Sequence, residues 1–499
     1  MPDLDSNPDV LIVGSGMGGA TLAAGLAPTG ARILILERGE QLPDTPETRD
    51  ARAIFQRGFY RPQETWTGGD GAPFNPGHYY YVGGNTKFYG AVLMRYRAED
   101  FRPIAHREGT TRGWPFDYQE LEPWYGRAEA LYRVRGALSG DPTEPRHSTP
   151  YSFAPVPDEP AIARARARMA SVGLHPSALP LGVDIEAWLK RAPTPWDAFP
   201  DARTGKMDAE TCGLASALTH ANVTLRTGAR VERLILAPDG KRIEGAQYRS
   251  GGETRVVKAK TVVLAAGAVK SAELLLRSAE RGVANRSGMV GRNFMNHNLS
   301  AVIGIDPRTV NDSVYQKTLA INDFYLGDGN GGPPLGNIQL LGRVSGAILK
   351  ANIPSVPEFI LNCISSHSVD WLAMSEDLPN PESRVTLDGE CVRLDWKRSN
   401  WAAHLALVAK LRERLRAAGY PIVLTHAFDR RTPSHQCGTV RIGLDAATSP
   451  LDPYCRAWEH PNLFVVDASL LPTSAAVNPS LTIAAQALRV ADHIANNDL

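Results

Sequence analysis

Residues 9–37 read DVLIVGSGMGGATLAAGLAPTGARILILE, and this stretch decides the fold of the chain. Two apolar runs, Val10–Val13 and Ile33–Leu36, flank a glycine cluster and a segment of small residues that extends to Leu26. Short runs of Val, Ile and Leu are typical of strands buried on both faces of a parallel sheet, and the segment between them has the length of a helix. The stretch therefore predicts a β-α-β unit and an α/β fold.

The glycine cluster has the spacing of a dinucleotide-binding fingerprint. Gly14, Gly16 and Gly19 form the pattern G-x-G-x-x-G. Glu37 ends the second strand about 20 residues later, as the fingerprint requires. The glycines would let a pyrophosphate approach the helix N-terminus, where free N–H groups and the helix dipole favour an anion, and Glu37 would accept hydrogen bonds from the adenosine ribose. The pattern predicts a Rossmann-like domain but does not distinguish NAD from FAD.

Length and composition exclude several classes of protein. The chain has 499 residues, of which 43% are hydrophobic, and its 54 Lys and Arg nearly balance its 53 Asp and Glu. This length predicts two domains or one domain with a large insertion, and the balanced charge argues against a nucleic-acid partner. The five cysteines stand without a C-x-x-C pair, which argues against a zinc site or a disulfide framework. Because no apolar stretch resembles a signal core or reaches bilayer length, we expect a cytoplasmic protein without a membrane span.

The remaining chain divides into segments of different periodicity. Residues 41–81 are rich in Pro, Gly and aromatic residues and predict long ordered loops that cover a site. Residues 300–400 alternate short strand patterns with turns, and residues 402–418 have the pattern of an amphipathic helix, so that residues 300–420 predict a region that is mainly antiparallel sheet. We therefore expect an α/β (α+β overall) protein of two domains. A discontinuous cofactor-binding domain comprises residues 1–45, 82–105, 201–298 and 425–499, and a substrate-binding domain with covering loops comprises residues 46–81, 106–200 and 299–424.

Three further segments carry candidate functional residues. Residues 81–90 (YVGGNTKFYG) form a second glycine turn, which is either an ordinary loop or another place where backbone approaches a flat or charged ligand. Residues 434–443 (SHQCGTVRIG) form a polar loop with His435, the side-chain type best suited to proton transfer, although it is one of twelve histidines. Residues 476–482 (AVNPSLT) open the final helix, and Asn478, which precedes a proline, could equally cap that helix.

Together, these motifs resemble the glucose-methanol-choline (GMC) oxidoreductases. The resemblance is ordered along essentially the whole chain and also includes residues 261–276, 290–293 and 466–482. Within the family the chain is most similar to the pyranose-oxidase-like and glycoside 3-oxidase branch, because Asn478 rather than a histidine stands at the second catalytic position. Ile442 replaces the methionine that normally follows arginine in the family motif, which is a harmless apolar exchange.

The resemblance implies FAD lying across the two glycine turns, with a substrate domain over the flavin ring. It implies that His435 receives the alcohol proton while hydride passes to flavin N5, and that Asn478 hydrogen-bonds the same oxygen. The final helix, beginning near Pro479, would direct its positive end at the flavin N1 and O2 edge. Some pyranose oxidases attach FAD through a histidine in the turn that matches residues 82–90. No histidine stands there in this chain, so we expect non-covalent FAD.

The predicted site residues follow from these motifs. Those expected to bind FAD are Gly14, Ser15, Gly16, Met17, Gly18, Gly19, Glu37, Arg38, Gly83, Gly84, Asn85, Thr86, Tyr89, Gly90, Val231, Ala266, Gly267, Asp467, Ala468, Asn478, Pro479 and Thr482. Those expected to contact the substrate are His435, Asn478, Asn337, Gln339, Glu376 and Asp377, although the last four could equally be solvated strand edges. No metal is expected, and oxygen or another acceptor would reoxidise the flavin.

The expected reaction is oxidation of a secondary hydroxyl, at C3 or C2 of a pyranose, in a sugar or a glycoside, with C-glycosides among the candidates. One alternative is oxidation of a sterol, choline or aliphatic alcohol. A choline enzyme would need a carboxylate or an aromatic cage for the cation, which the sequence does not reveal. Another alternative is a flavin-dependent hydroxynitrile lyase of the same fold, without net redox chemistry. A non-enzymatic flavin scaffold is disfavoured by the joint presence of His435 and Asn478.

Overall fold

The structure, a computed structural model, describes residues 7–432 and 435–499. Residues 1–6 and 433–434, which belong to the predicted cofactor-binding segments, lie outside the described residues. The described strands are β1 (Val10–Val13), β2 (Ile33–Leu36), β3 (Trp66–Gly68), β4 (Pro73–Phe74), β5 (Ala105–His106), β6 (Gly109–Thr110), β7 (Pro176–Ala178), β8 (Val223–Arg226), β9 (Arg230–Leu236), β10 (Ile243–Ser250), β11 (Glu253–Lys258), β12 (Thr261–Leu264), β13 (Asn298–Ile305), β14 (Leu319–Ile321), β15 (Asn337–Leu340), β16 (Ser368–Ser375), β17 (Arg384–Asp388), β18 (Cys391–Asp395), β19 (Ile422–Ala427) and β20 (Leu463–Val465).

The helices pack around these strands. They are α1 (Met17–Leu26), α2 (Tyr118–Leu131), α3 (Pro160–Ser171), α4 (Ile185–Arg191), α5 (Ala215–Ala217), α6 (Ala268–Arg277), α7 (Gly346–Asn352), α8 (Glu358–Ser365), α9 (Trp401–Ala417) and α10 (Ser480–Asn497). Within the ranges described, no helix combines the length and the apolar character needed to cross a lipid bilayer.

A parallel sheet carries the predicted β-α-β unit. Its strand order is β20-β12-β1-β2-β8, all neighbours are parallel, and every residue of β1, β2 and β12 is buried. Gly18 and Gly19 bring α1 close to this sheet, because an added Cβ would lie 1.8 Å from the Val466 carbonyl oxygen and 2.1 Å from the Gly14 carbonyl oxygen, respectively. The predicted α/β fold with a Rossmann-like domain is confirmed.

Helix α10 packs directly on α1. An added Cβ at Gly25 in α1 would lie 2.7 Å from the Ala491 Cβ in α10, so the two helices touch at this position. Both helices begin beside the same cavity, which is described below. The two N-termini therefore belong to one packed pair of helices.

An antiparallel sheet forms the second part of the molecule. Its order is β19-β13-β16-β15-β14-β7, and every neighbouring pair is antiparallel. Helix α9 covers one face, where Leu407 and Leu411 pack in a core with Val302 and Trp371. The sequence prediction for residues 300–420 is therefore largely right, but it missed α7 and α8. The edge strand β7 comes from outside this range and was not predicted.

The loop prediction for residues 41–81 is incomplete. Strands β3 and β4 lie within this range and extend the hairpin of β17 and β18 into a four-stranded sheet. Both strands are very short, and β3 is held by pairing with residues more than 300 positions later in the chain, a contact with no local sequence signal. The division into two domains at the expected boundaries stays a prediction.

Candidate active site

A cavity of about 1880 Å³ runs from the β1–α1 turn to the antiparallel sheet. Its wall passes from Gly16 and Glu37 along His435 to Leu299 and Leu372 on the sheet. Small-molecule sites usually have roughly 300 to 1,000 Å³. The cavity therefore has room for a large cofactor together with a second ligand.

Most residues predicted to bind FAD line this cavity. These are Gly14, Gly16, Met17, Gly18, Glu37, Arg38, Gly84, Asn85, Thr86, Tyr89, Gly90, Val231, Ala266, Gly267, Asp467, Ala468, Asn478 and Pro479. Ser15, Gly19, Gly83 and Thr482 are not part of its wall. Three of them support the residues of the wall through hydrogen bonds: the Ser15 hydroxyl donates to Glu37 and accepts from the Gly83 N–H, and the Thr482 hydroxyl lies 2.8 Å from the Tyr125 hydroxyl.

The cavity has the features that a dinucleotide needs. Neither α1 nor α10 has a side-chain cap at its N-terminus, and residues from both helix starts line the cavity. The uncapped N–H groups and helix dipoles at both places favour negative charge on a ligand. An added Cβ at Gly84 would lie only 3.4 Å from the Gly16 Cα, so the two glycine turns meet. The residues present therefore fit FAD lying across both turns.

Glu37 is fixed in place by the β1–α1 turn. One carboxylate oxygen accepts from the Ser15 N–H at 3.0 Å and the Ser15 hydroxyl at 2.7 Å, and the other accepts from the Gly39 N–H at 2.8 Å. Burial raises the pKa of Glu37, and these hydrogen bonds act in the opposite direction. The side chain still lines the cavity, where its remaining lone pairs face a ligand.

His435 and Asn478 meet at the cavity. His435 Nε2 lies 3.1 Å from Asn478 Nδ2, and both residues line the cavity wall. Gln339 Nε2 donates to Asn478 Oδ1 at 3.2 Å, which turns the amide nitrogen toward the histidine. Asn478 does not cap α10, because Pro479 occupies the cap position and no side chain bonds there. His435 has φ of 71°, in the left-handed region that non-glycine residues rarely occupy.

A second histidine, His297, fixes the tautomer of His435. His297 Nε2 lies 3.0 Å from the Ser474 carbonyl oxygen and 2.7 Å from that of Ala475, and since carbonyls only accept, this nitrogen carries the proton. His297 Nδ1 is then an acceptor, so His435 Nδ1, 2.7 Å away, must donate to it. This network assigns a lone pair to His435 Nε2, the atom beside Asn478.

The surroundings keep His435 uncharged. Burial, the neighbouring His297 and the ammonium of Lys317 together hold the pKa of His435 well below its ordinary value of 6.5. Burial also lowers the pKa of His297, although its hydrogen bonds to the two carbonyls oppose this shift. At neutral pH the imidazole of His435 is therefore a free base.

The other predicted substrate residues do not line the cavity. Asn337 donates to the Asn322 side chain at 2.6 Å and is fully buried. Glu376 accepts from the Ala475 N–H at 3.0 Å, and Asp377 accepts from the Asn296 N–H at 3.0 Å. The structure thus places the two carboxylates behind the loop that leads to Asn478, where they satisfy buried backbone donors. Gln339 contacts Asn478 but is itself absent from the cavity wall.

Sequence reasoning missed several residues of the cavity. His297 had a usable signal, because it closely follows the VGRN motif at residues 290–293. Lys317 and Asp197, an ion pair in the cavity wall, had none, since they come from segments without a motif. His78, which also lines the cavity, lies just before the second glycine turn and bonds Gln436 beside His435 at 2.8 Å. Ser434, the first residue of the predicted polar loop, lies outside the described residues.

Fold and cavity together define a dinucleotide-dependent enzyme, and comparison with known proteins gives its family. Two sequence models described as GMC oxidoreductase match residues 193–299 and 379–487. A model described as an NAD(P)-binding Rossmann-like domain matches residues 12–58. Paromamine 6'-oxidase from Streptomyces fradiae is 31% identical over 523 residues, which cover 98% of this chain and 91% of that protein. The chain belongs to the GMC oxidoreductase family.

Two further similarities extend along nearly the whole chain. 2-Methyl-1,2-propanediol dehydrogenase from Mycolicibacterium austroafricanum is 30% identical over 540 residues, covering 97% of this chain and 95% of that protein. The crystal structure of pyridoxine 4-oxidase from Mesorbium loti has the same fold, with a TM-score of 0.69 at 20% identity and coverage of 99% and 100% of the two chains. The protein is thus an FAD-dependent oxidoreductase that acts on CH–OH donors, and the resemblance seen in the sequence is confirmed.

Proposed function

We propose that the protein oxidises a secondary hydroxyl, at C3 or C2 of a pyranose in a sugar or glycoside, to a ketone. The observation that carries this proposal is the contact of His435 Nε2 with Asn478 Nδ2 at 3.1 Å in the cavity wall. The pair presents one acceptor and one donor side by side, and a hydroxyl is itself one donor and one acceptor. An alcohol that replaces the direct contact between the two side chains would donate to the imidazole and accept from the amide.

The side chains then divide the work of proton removal. His435 Nε2 takes the hydroxyl proton as the carbon loses its hydride, so a full alkoxide does not accumulate. Asn478 orients the alcohol oxygen, and Gln339 holds the Asn478 amide in the required direction. His297 stays the acceptor for His435 Nδ1–H throughout, which holds the ring in its tautomer and orientation while Nε2 takes the proton. FAD, when bound, supplies the hydride acceptor.

The pyranose assignment is supported by the asparagine at position 478, which suits the pyranose-oxidase-like and glycoside 3-oxidase branch. A second candidate is oxidation of another type of alcohol. It is favoured by similarity, at about 30% identity, to paromamine 6'-oxidase and to 2-methyl-1,2-propanediol dehydrogenase. The carbon that reacts therefore decides between the two candidates.

The deciding experiment is anaerobic mixing of the purified holoenzyme with pyranose sugars, O- and C-glycosides, aliphatic alcohols, choline and a sterol. The proposal expects flavin bleaching with sugars or glycosides and a C3 or C2 ketone as product, and it expects the deoxy sugar lacking that hydroxyl to be inert. An aldehyde product, or bleaching by simple alcohols alone, favours the second candidate. Cleavage of a hydroxynitrile without bleaching would identify a lyase. Admitting air afterwards shows whether oxygen accepts the electrons.

We also propose that FAD is held without a covalent bond. The turn at residues 82–90 contains no histidine, and the Nε2 atom of the nearby His78 is bonded to Gln436 at 2.8 Å. Acid precipitation of the holoenzyme is expected to leave the flavin in the supernatant. Flavin that stays in the protein pellet contradicts this proposal, and its loss from the pellet of a His78→Phe variant would then identify the attachment site.

His297 is proposed as the positioning residue for His435. His297→Leu removes the acceptor for His435 Nδ1–H and is expected to slow flavin reduction about tenfold to a hundredfold, by analogy with the partners that orient metal-binding histidines. His297→Asn keeps an acceptor near the Nδ1 position and should retain most of the rate. Because His297 helps to lower the pKa of His435, both variants should lose activity on acidification at a pH closer to 6.5 than the wild type. Equal slowing in both variants, with an unchanged pH profile, would reduce His297 to a packing residue.

A further inference from the structure

A buried ion pair lies in the wall of the cavity, and the mechanism above uses only the effect of the Lys317 charge on the pKa of His435. Lys317 Nζ lies 2.8 Å from Asp197 Oδ2, and the two side chains are 4% and 15% exposed. Both residues line the cavity. Burial would raise the pKa of Asp197, but the ammonium of Lys317 and the Gly342 N–H hold it below its ordinary value, so the carboxylate is ionised.

The pair has unused hydrogen-bonding capacity. Asp197 Oδ2 is the one hydrogen-bond acceptor for Lys317 Nζ among residues 7–432 and 435–499, although an ammonium carries three N–H donors. In the same part of the chain, Asp197 Oδ1 receives no hydrogen bond, because both the Lys317 and Gly342 donors go to Oδ2. A buried charged group with unmet donors costs free energy. The remaining N–H groups of Lys317 Nζ and the Oδ1 atom of Asp197 are therefore available to hydrogen-bond polar atoms of a ligand.

The pair is held rigidly between the second glycine turn and the antiparallel sheet. Trp196 Nε1 donates to the Gly90 carbonyl oxygen at 3.1 Å, and the Gly342 N–H donates to Asp197 at 2.8 Å. An added Cβ at Gly90 would lie 2.5 Å from Asp197 Oδ1 and 3.1 Å from Lys317 Nζ. The pair thus borders the end of the turn that fits FAD, and the charge of Lys317 reaches His435. This part of the cavity adjoins the proposed position of the alcohol.

We propose that Lys317 and Asp197 form a polar subsite for a second hydroxyl of the substrate, distinct from the hydroxyl that reacts, and that they select neutral polyols. This inference rests on the proposed function. The ammonium donates a hydrogen bond to the hydroxyl oxygen, and Asp197 Oδ1 accepts a hydrogen bond from the hydroxyl O–H. A hydroxyl, which is both acceptor and donor, thus matches the pair.

The charge of the subsite gives it selectivity. A hydroxyl accepts from Lys317 and donates to Asp197, whereas an ammonium has no lone pair with which to accept from Lys317 and a carboxylate has no proton to donate to Asp197. An amino sugar or a sugar acid therefore loses one of the two hydrogen bonds and faces a like charge in its place. Juxtaposing like charges costs binding free energy. A neutral hydroxyl meets neither penalty, which makes the neutral sugar the preferred ligand.

The test compares Lys317→Met with Asp197→Asn, each of which leaves one charge in place. Both variants are expected to lower kcat/KM for a neutral sugar by roughly tenfold to a hundredfold, the usual effect of losing a charged hydrogen bond, while keeping FAD. Their charge preferences should diverge. Lys317→Met, which retains the carboxylate, should gain relative activity on the amino-deoxy sugar, and Asp197→Asn, which retains the ammonium, should gain it on the sugar acid.

Deoxy sugars provide a second measurement that needs no variant of the pair. With the wild-type enzyme, removal of one hydroxyl other than the reacting one should lower kcat/KM by roughly tenfold to a hundredfold. Combining that deoxy sugar with Lys317→Met should cause little further loss, because both changes remove the same contact. The measurement of deoxy sugars with the wild-type enzyme remains decisive even if a variant folds poorly.

The outcomes separate the subsite from the proposed function. Suppose that neutral sugars bleach the wild-type flavin, and that both variants stay within twofold of the wild-type kcat/KM and keep the wild-type preference for substrate charge. The subsite is then overturned, and the proposed function stands. Full additivity of the deoxy sugar and Lys317→Met also overturns it. If no sugar bleaches the wild-type flavin and a simple alcohol does, both proposals fall.

Discussion

Replacement of His435 by Ala is expected to slow flavin reduction by about two to four orders of magnitude while FAD stays bound. The variant removes the Nε2 lone pair that lies 3.1 Å from Asn478 Nδ2. His297 Nδ1 loses its partner in this variant, but His297 is not part of the cavity wall and therefore does not reach the alcohol. Anaerobic stopped-flow reduction with the best sugar substrate measures the effect, and the flavin spectrum measures cofactor content.

A histidine of the same cavity serves as the matched control. His426 lies on β19, is exposed, and lines the cavity mouth. His426→Ala should reduce at a rate within a few-fold of the wild type, since it makes no contact with Asn478. Comparable slowing in both variants, or a His435→Ala rate within tenfold of the wild type, would remove His435 from the role of base.

Replacement of Lys87 by Met is expected to destabilise the protein by about 3 to 5 kcal/mol. Lys87 is fully buried in the second glycine turn, where its Nζ lies 2.6 Å from Glu210 Oε2 and 2.9 Å from Asp208 Oδ2. The variant leaves two buried carboxylates without their cation. Burial already raises the pKa of Asp208 above its ordinary value despite the lysine, so without it Asp208 binds a proton more readily. The destabilisation should therefore grow as the pH rises, because ionised carboxylates then stay unpaired in the folded state.

Chemical denaturation of the FAD-free protein measures this change without a contribution from cofactor binding. Lys258→Met is the control, because Lys258 makes a bond of similar length, 2.8 Å, to Glu244 with both side chains well exposed. Its effect should stay below about 1 kcal/mol, as is usual for surface pairs. Equal effects of the two substitutions would mean that the buried cluster contributes little. The Lys87 variant should also bind FAD more weakly, since residues 84–86 of the same turn line the cavity.

The part of the fold that could be predicted is the part that a local pattern specifies. The β-α-β unit at residues 9–37 was predictable because its apolar runs and glycine spacing lie within one short stretch. The short strand β3 was not, because its pairing partner in β18 comes from a distant part of the chain. The helices α7 and α8 were missed within a region whose dominant pattern is that of strands.

In the candidate site, too, the residues in local motifs could be predicted and the contacts between distant segments could not. His435 and Asn478 could be proposed from motifs, and the structure brings their side chains together. The contact of His297 with His435 joins residues 138 positions apart, and that of Lys317 with Asp197 joins residues 120 positions apart, so only the folded chain reveals them. Glu376 was expected at the substrate because polar side chains near a sheet suggest binding, but a buried carboxylate can equally serve backbone donors, as it does toward Ala475.

The touching pair of helices has a consequence for how the reaction geometry is kept. The start of α1 is proposed to face the cofactor phosphates, and the start of α10 directly follows Asn478, the proposed partner of the base. These two helices touch where Gly25 meets Ala491. We therefore expect the distance between the starts of the two helices to depend on the size of the side chains where Gly25 meets Ala491. A methyl group added at Gly25 would push the two helices apart and so misalign the substrate and the flavin ring, although it would contact neither of them.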